Sequence, residues 1–356
     1  MKRRIALGLL HSGSGSYALL SQASLLGALA AIEAVNADAT MPVHFTSVLR
    51  DPGGNADAYG PLCEEILRDS PARHVVGCVT SLSRKEVIPS LEKLGGTLWY
   101  PLPYEGFEAS DRVVYTHACP NQHLLPLLDW ALPAHGSRVY LTGSNYIWGW
   151  EINRLARMTI MQAGGTVLGE RYLPIGAQDV ERMIDEIRAT CPNFVLNSLV
   201  GASSYAFLRA YHVLGLTDKR FSPDRCPVLS CNLTECELPP LGEAAEGLIS
   251  AGPYFRGSSG PEFGSSPEAA SYAAVMELAR LLAHHGAGSE HWPLAQLLAD
   301  AGGMVDPGTH HTRLPVIIAQ VRGNAFRVIQ HRGEVAGDPF LSRNLATAPQ
   351  PLRVVS

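Results

Sequence analysis

Charge is scarce in this chain: Asp, Glu, Lys and Arg make up 17% of it and leave a net charge of only -5. Without a basic excess there is no electrostatic footprint for a phosphate backbone, so direct nucleic-acid binding is not expected. Long apolar runs are also lacking, and no uninterrupted stretch approaches the roughly 20 residues of a membrane-spanning helix. The 7 cysteines form an odd set in apolar surroundings with no Cys-x-x-Cys pair, which reads as reduced thiols and not a disulfide framework. Cys226, Cys231 and Cys236 lie close in sequence, yet their spacing matches no zinc knuckle and no histidine is near, so no metal site is expected. Catalytic signatures are missing as well: there is no Gly-x-Ser-x-Gly elbow, no Walker loop and no His-Glu-x-x-His. His117 and Cys119 share one face of an extended segment without an orienting third group. The chain therefore reads as a non-enzyme that needs no cofactor.

What is present is a large apolar fraction, 46% of 356 residues, enough for two domains. Lys2-Arg3-Arg4 imitates the start of a signal peptide, but the apolar run 5–10 stops at His11-Ser12-Gly13-Ser14-Gly15, short of the h-region that secretion needs. Read as a first strand, that run predicts a cytoplasmic protein.

Apolar, β-rich runs at 5–10, 44–49, 74–79, 97–100, 138–142, 166–172, 194–198 and 227–230 alternate with stretches of helical period. The clearest helical stretches are 21–35, 83–94, 146–163, 180–190, 203–214 and 266–285. That alternation predicts an α/β protein with parallel sheets. Ser83, with Glu86 three residues on, is the expected N-cap of its helix, whose free N–H groups then attract a carbonyl or carboxylate. The stretch 257–267 reads as a loop, 316–321 and 325–330 form a hairpin around Arg322-Gly323-Asn324, and the tail beyond Gly337 is expected to wrap the surface.

Two segments place hydroxyl-bearing side chains just past predicted strand ends, where α/β sheets hold small ligands: Cys78-Val79-Thr80-Ser81-Leu82-Ser83-Arg84-Lys85 and Tyr100-Pro101-Leu102-Pro103-Tyr104-Glu105-Gly106-Phe107-Glu108. With Asp51-Pro52-Gly53-Gly54, Pro120-Asn121-Gln122 and Gly143-Ser144-Asn145-Tyr146-Ile147, these resemble the amide- and urea-binding branch of the type I periplasmic-binding-protein fold. Within it they are most similar to the amide-sensing negative regulators of aliphatic amidase operons. The resemblance runs in order to about Gln330. It implies two Rossmann-like lobes joined by a three-crossover hinge, 1–121 plus 251–314 and 122–250 plus 315–356. It also implies a cytoplasmic sensor of a short amide or urea-like ligand that releases an RNA-binding transcription antiterminator, with a homodimer possible. The alternative is the solute-binding subunit of an ABC importer for urea or short amides.

By that resemblance Ser81 and Tyr100 line the pocket from lobe one and Tyr146 reaches across from lobe two, with Tyr104 beside them. Burying a neutral amide without partners costs a few kcal/mol, so hydroxyls suit such a pocket. Val79 and Leu102 stand where the regulators carry a tyrosine and a threonine, which widens the apolar wall, while Thr80 to Lys85 matches the urea-binding relatives. Ser12 is a candidate rim residue and Asn232 a cleft residue after a lobe-two strand. Glu235 reads as the cap of a short helix. Asp51 to Gly54 reads as a turn. Trp148 and Trp150 either cap the ligand or fill the helix–sheet interface, and the sequence leaves both open.

Overall fold

The computed structural model describes residues 2–108, 110–258 and 260–342. Its first half alternates β1 (Arg3–Leu10), α1 (Ala18–Ala37), β2 (Val43–Arg50), α2 (Tyr59–Asp69), β3 (His74–Gly77), α3 (Ser81–Leu94), β4 (Thr97–Tyr100) and β5 (Val113–Tyr115). The strands form one parallel sheet in the order β2-β1-β3-β4-β5. Helices on both faces bury β1, β3, β4 and β5, which is why these strands read as apolar runs, while the edge strand β2 is half exposed. The run 5–10 is β1 and is buried throughout.

The second half continues with α4 (Leu124–His135), β6 (Arg138–Ser144), α5 (Ile147–Gln162), β7 (Thr166–Leu173), α6 (Glu181–Thr190), β8 (Phe194–Ser198), α7 (Gly201–Thr217), β9 (Val228–Ser230) and β10 (Ile249–Gly252). Next come α8 (Ser266–His285), α9 (Leu294–Leu298), β11 (Leu314–Arg322) and β12 (Ala325–Val335). Here the sheet order is β12-β11-β10-β9-β8-β6-β7, parallel except for the hairpin, whose β11 runs antiparallel to β10. The protein is thus α/β with two mostly parallel sheets.

α1 is long and apolar enough, by length and composition, to cross a membrane. It is instead a packed helix: a Cβ added to Gly27 would lie 2.0 Å from the Glu268 carbonyl oxygen, so α1 and α8 touch backbone to backbone. α8 follows a strand of the second sheet yet joins the core of the first, its Val275, Leu278 and Leu282 clustering with Leu7, Phe45 and Trp99. The chain therefore passes between the sheets three times, after β5, after β10 and before β11. Buried Gln122 laces the first and third passages, donating from Nε2 to Thr312 O at 2.9 Å and Val335 O at 2.7 Å. Asn121 adds a bond to Ala336 O at 2.9 Å.

Asp51-Pro52-Gly53-Gly54 is a turn, with Asp51 Oδ1 accepting from Gly53 N at 2.7 Å and both glycines at positive φ. All 7 cysteines are free thiols, and among the described residues no group of three His, Cys, Asp or Glu could hold a metal. Of the tail, Pro339 accepts a bond from Phe107 N at 3.0 Å, and 343–356 lies outside the described residues.

Candidate functional site

A cavity of about 580 Å³, counting the part open to solvent, lies between the two sheets at the carboxyl ends of their strands. The first sheet contributes Val79, Thr80 and Ser81 after β3, and Tyr100, Leu102 and Pro103 after β4. From the second come Tyr146 and Trp148 after β6, Val200 after β8, the segment Cys231 to Thr234 after β9, and Tyr254 and Phe255 after β10. Tyr17 at the start of α1, His117 on the first passage and Ser266 at the start of α8 complete the wall.

Seven of the expected residues thus share one cavity: Val79, Thr80, Ser81, Tyr100, Leu102, Tyr146 and Asn232. Two lie elsewhere. Ser12 bonds the Tyr59 hydroxyl at 2.9 Å and accepts from Gly54 N at 3.1 Å, which ties it to the Asp51–Gly54 turn. Tyr104 stacks on Tyr115 with ring centroids 4.3 Å apart and gives its hydroxyl to Glu108 O at 3.0 Å, because its segment folds inward over Arg84. Asn232 is tied down by Leu199 O and Ser230 Oγ. The two tryptophans part company: Trp148 is buried on the cavity wall, while Trp150 is 47% exposed and bonds Asn145 at 3.0 Å.

The expected cap of α3 needs correction. Thr80 is the N-cap and Ser83 its partner at the third position: Thr80 Oγ1 accepts from Ser83 N at 3.1 Å and Ser83 Oγ accepts from Thr80 N at 3.0 Å. Likewise Glu237, not Glu235, closes the capping box on Thr234. Glu235 instead accepts from Arg256 N at 2.7 Å.

Behind Ser81 lies a charge network the sequence reading missed. Ser81 Oγ donates to Glu105 Oε2 at 2.6 Å, and Arg84 binds Glu105 Oε1 at 2.7 Å and Glu108 Oε1 at 2.8 Å. Lys85 reaches Glu108 Oε2 at 2.7 Å, so two cations meet two carboxylates. The Arg84 guanidinium also sits 4.9 Å from the centroid of the Tyr100 ring. Burial works to raise the Glu108 carboxyl's pKa, but Arg84, Lys85 and Tyr115 outweigh it and hold the group down at about 2. Two acids placed some twenty residues after Arg84-Lys85, in the hydroxyl-rich segment that follows β4, were the available signal.

The cavity wall itself carries no Asp, Glu, Lys or Arg among the described residues. Burial pushes the Tyr17, Tyr100 and Tyr146 phenols far up, keeping them neutral, and lowers His117 to about 3. Neutral His117 accepts from Ala118 N on Nδ1 at 2.8 Å, so its Nε2 carries the proton and donates to Ser266 Oγ at 2.8 Å. The N-cap residues of four helices, Tyr17 of α1, Thr80 of α3, Tyr146 of α5 and Val200 of α7, all line the cavity. Only α3 is capped by a side chain; the starts of α1, α5 and α7 are not. Each helix start carries about half a positive charge. Trp148 Nε1, buried on the same wall, has no acceptor among the described residues. Chemically, this is an uncharged, aromatic-lined chamber with three helix starts that lack a side-chain cap and one buried donor, Trp148 Nε1, without an acceptor among the described residues, a setting suited to an anion.

The family described as "Periplasmic binding protein domain" matches residues 5–288. Among solved structures, the chain is similar to a solute binding protein of an ABC transporter from Rhodopseudomonas palustris HaA2 in complex with p-hydroxybenzoic acid. The TM-score is 0.82 at 19% identity, covering 96% of this chain and 100% of that one. Another is an R. palustris solute binding protein in complex with benzoate, at TM-score 0.81 and 14% identity, covering 94% and 98%. A third is the branched-chain amino acid transporter substrate binding protein from Streptococcus pneumoniae in complex with isoleucine, at TM-score 0.79 and 14% identity, covering 94% and 100%.

These findings correct two expectations. The reading as a regulator of an antiterminator is overturned by a match to the periplasmic binding protein domain family and by neighbours that are themselves transporter solute-binding proteins in complex with benzoates or an amino acid. The cytoplasmic assignment falls with it. That assignment rested on the brevity of the run 5–10, which is simply β1 and says nothing about location.

Proposed function

This chain belongs to the periplasmic binding protein domain family, matched over residues 5–288, and from that premise we propose that it is the solute-binding subunit of an ABC importer working outside the cytoplasm. Its ligand is a small organic acid with an apolar or aromatic body. Of the described residues, the lobes are 2–121 plus 251–314 and 122–250 plus 315–342, hinged at the passages laced by Gln122. Ligand favours the closed arrangement by as much as its affinities for the two arrangements differ.

The observation that carries this reading is the set of uncapped helix starts, α1, α5 and α7, converging on a chamber with no charged side chain in its wall. Helix starts attract anions. The buried Trp148 Nε1, without an acceptor among the described residues, adds a donor to the same wall. The absence of an acidic wall residue disfavours a cationic or zwitterionic guest, whose ammonium needs a counter-charge when buried. The short-amide branch is not retained: Val79 and Leu102 leave an apolar wall, and the Ser81 hydroxyl proton is already given to Glu105.

Calorimetric titration of benzoate against benzamide, which keeps the shape and loses the charge, tests this. Benzoate is expected to bind on the order of tenfold more tightly or better, since charge-assisted hydrogen bonds exceed neutral ones. Equal affinity, or binding of neither, overturns it.

A further inference from the structure

Ser81 lines the cavity beside Val79, Thr80, Tyr100 and Leu102 of the first sheet's side, and its hydroxyl proton is already spent. Its acceptor is Glu105 Oε2 at 2.6 Å. Arg84 engages both oxygens of that carboxyl, at 2.7 and 3.4 Å, which marks it as a carboxylate able only to accept. Arg84 and Glu105 are 0% and 1% exposed, so neither side chain has room to swing away. Glu108 holds the other edge of the guanidinium at 2.8 Å. A serine hydroxyl has one proton and two lone pairs. With the proton fixed on Glu105, only lone pairs remain for the cavity.

Resting on the small-acid reading above, we infer that Glu105 locks Ser81 as a hydrogen-bond acceptor, so that the preferred ligand is an aromatic or apolar acid bearing a hydroxyl on the end of its body away from the carboxylate. That hydroxyl donates to Ser81 Oγ and completes a relay from ligand O–H to Ser81 O–H to the Glu105 carboxylate, backed by Arg84. Such charge-backed chains strengthen each member. The same lock repels the carboxylate from this end. A carboxylate beside Ser81 meets a lone pair and, one bond further, the charge of Glu105, whereas the uncapped start of α7 follows a strand of the second sheet, as does Trp148, whose N–H has no acceptor among the described residues. The ligand is thereby oriented, acid end on the second sheet and hydroxyl end on the first. A ligand without the hydroxyl leaves the Ser81 lone pairs dry, and an unmet buried acceptor is costly.

The test is calorimetric titration of the full chain with 4-hydroxybenzoate and 4-fluorobenzoate, a near match in size with no proton to donate, in the wild type and in Ser81→Ala. The wild type is expected to prefer the hydroxyl compound by about tenfold or more, one net hydrogen bond to a charge-backed acceptor. In Ser81→Ala the preference is expected to shrink to about threefold or less. Glu105→Gln, whose amide can donate to Ser81 Oγ and free the hydroxyl proton, is expected to shrink it likewise. If that variant fails to fold, Ser81→Ala carries the test alone. Both acids binding equally well to the wild type, or a preference unchanged in Ser81→Ala, overturns the inference while leaving the small-acid reading in place. Failure of both acids to bind overturns both.

Discussion

Replacing Arg84 by Met removes the one cation that two buried carboxylates share, and the cost follows from where the charges sit. Arg84 is 0% exposed, Glu105 1% and Glu108 10%. An exposed ion pair is worth about 0–1 kcal/mol, but deleting one partner of a buried pair costs about 3–5 kcal/mol, because the remaining charge stays without solvent. Glu108 keeps Lys85 at 2.7 Å and the Tyr115 hydroxyl at 2.8 Å, so its loss is partial. Among the described residues Glu105 keeps only the Ser81 hydroxyl, and it carries most of the penalty. The expected loss is therefore about 3–5 kcal/mol. With a urea slope of about 3 kcal/mol/M, that lowers the unfolding midpoint by roughly 1–1.7 M. Arg188→Met, which breaks a pair whose members are 53% and 71% exposed, is the control and is expected to cost less than about 1 kcal/mol. Urea titration of both variants, followed by circular dichroism, reads the difference. Equal shifts for Arg84→Met and Arg188→Met would refute the reasoning.

Three further perturbations have definite signs. Gly27→Ala puts a methyl 2.0 Å from the Glu268 carbonyl oxygen, so α1 and α8 must part; a loss of about 1–3 kcal/mol is expected despite alanine's better helix propensity, and a stabilised protein in thermal unfolding would contradict it. Acid should weaken the fold early, because burial lowers His11 and His117 to about 3 and His74, His123 and His311 to about 4. Between those values and 6.5 the unfolded chain binds more protons, so each histidine removes up to about 1.4 kcal/mol per pH unit as pH falls through that window. Glu237, raised to about 7 by burial, acts in the opposite direction between 4.5 and 7 but offsets only one of the five. Urea midpoints should drop from pH 7 to pH 5, and a flat or rising series would show these histidines to be accessible. Trp148→Phe keeps an aromatic wall and deletes the unpartnered N–H, so benzoate should bind about five- to twentyfold more weakly, read by calorimetry; unchanged affinity would remove Trp148 from the anion end.

The layer architecture was legible because parallel strands buried on both faces leave short apolar runs, and 5–10, 97–100 and 194–198 coincide with strand cores. The cap of α3 was not, since Thr80, Ser81 and Ser83 are all eligible and the choice depends on where β3 ends, with Cys78 at a positive φ of 64. Tyr100 and Tyr104 look alike in sequence. They separate because the chain between them turns over Arg84, sending Tyr104 onto Tyr115 and leaving Tyr100 on the cavity. Tyr17 escaped notice for a related reason: its role comes from α1 starting beside the second sheet's helix ends, where Gly201 approaches Ser16 so closely that an added Cβ would sit 2.2 Å from its carbonyl oxygen. Uncapped helix starts also leave no motif to read.

A crystal structure of the protein grown with 4-hydroxybenzoate addresses the orientation directly. The account predicts the acid between Tyr100 and Trp148, its carboxylate within hydrogen-bond distance of Trp148 Nε1 and the start of α5, and its phenol oxygen on Ser81 Oγ. A reversed ligand, with the carboxylate on Ser81, or an empty cavity at saturating acid, would contradict it.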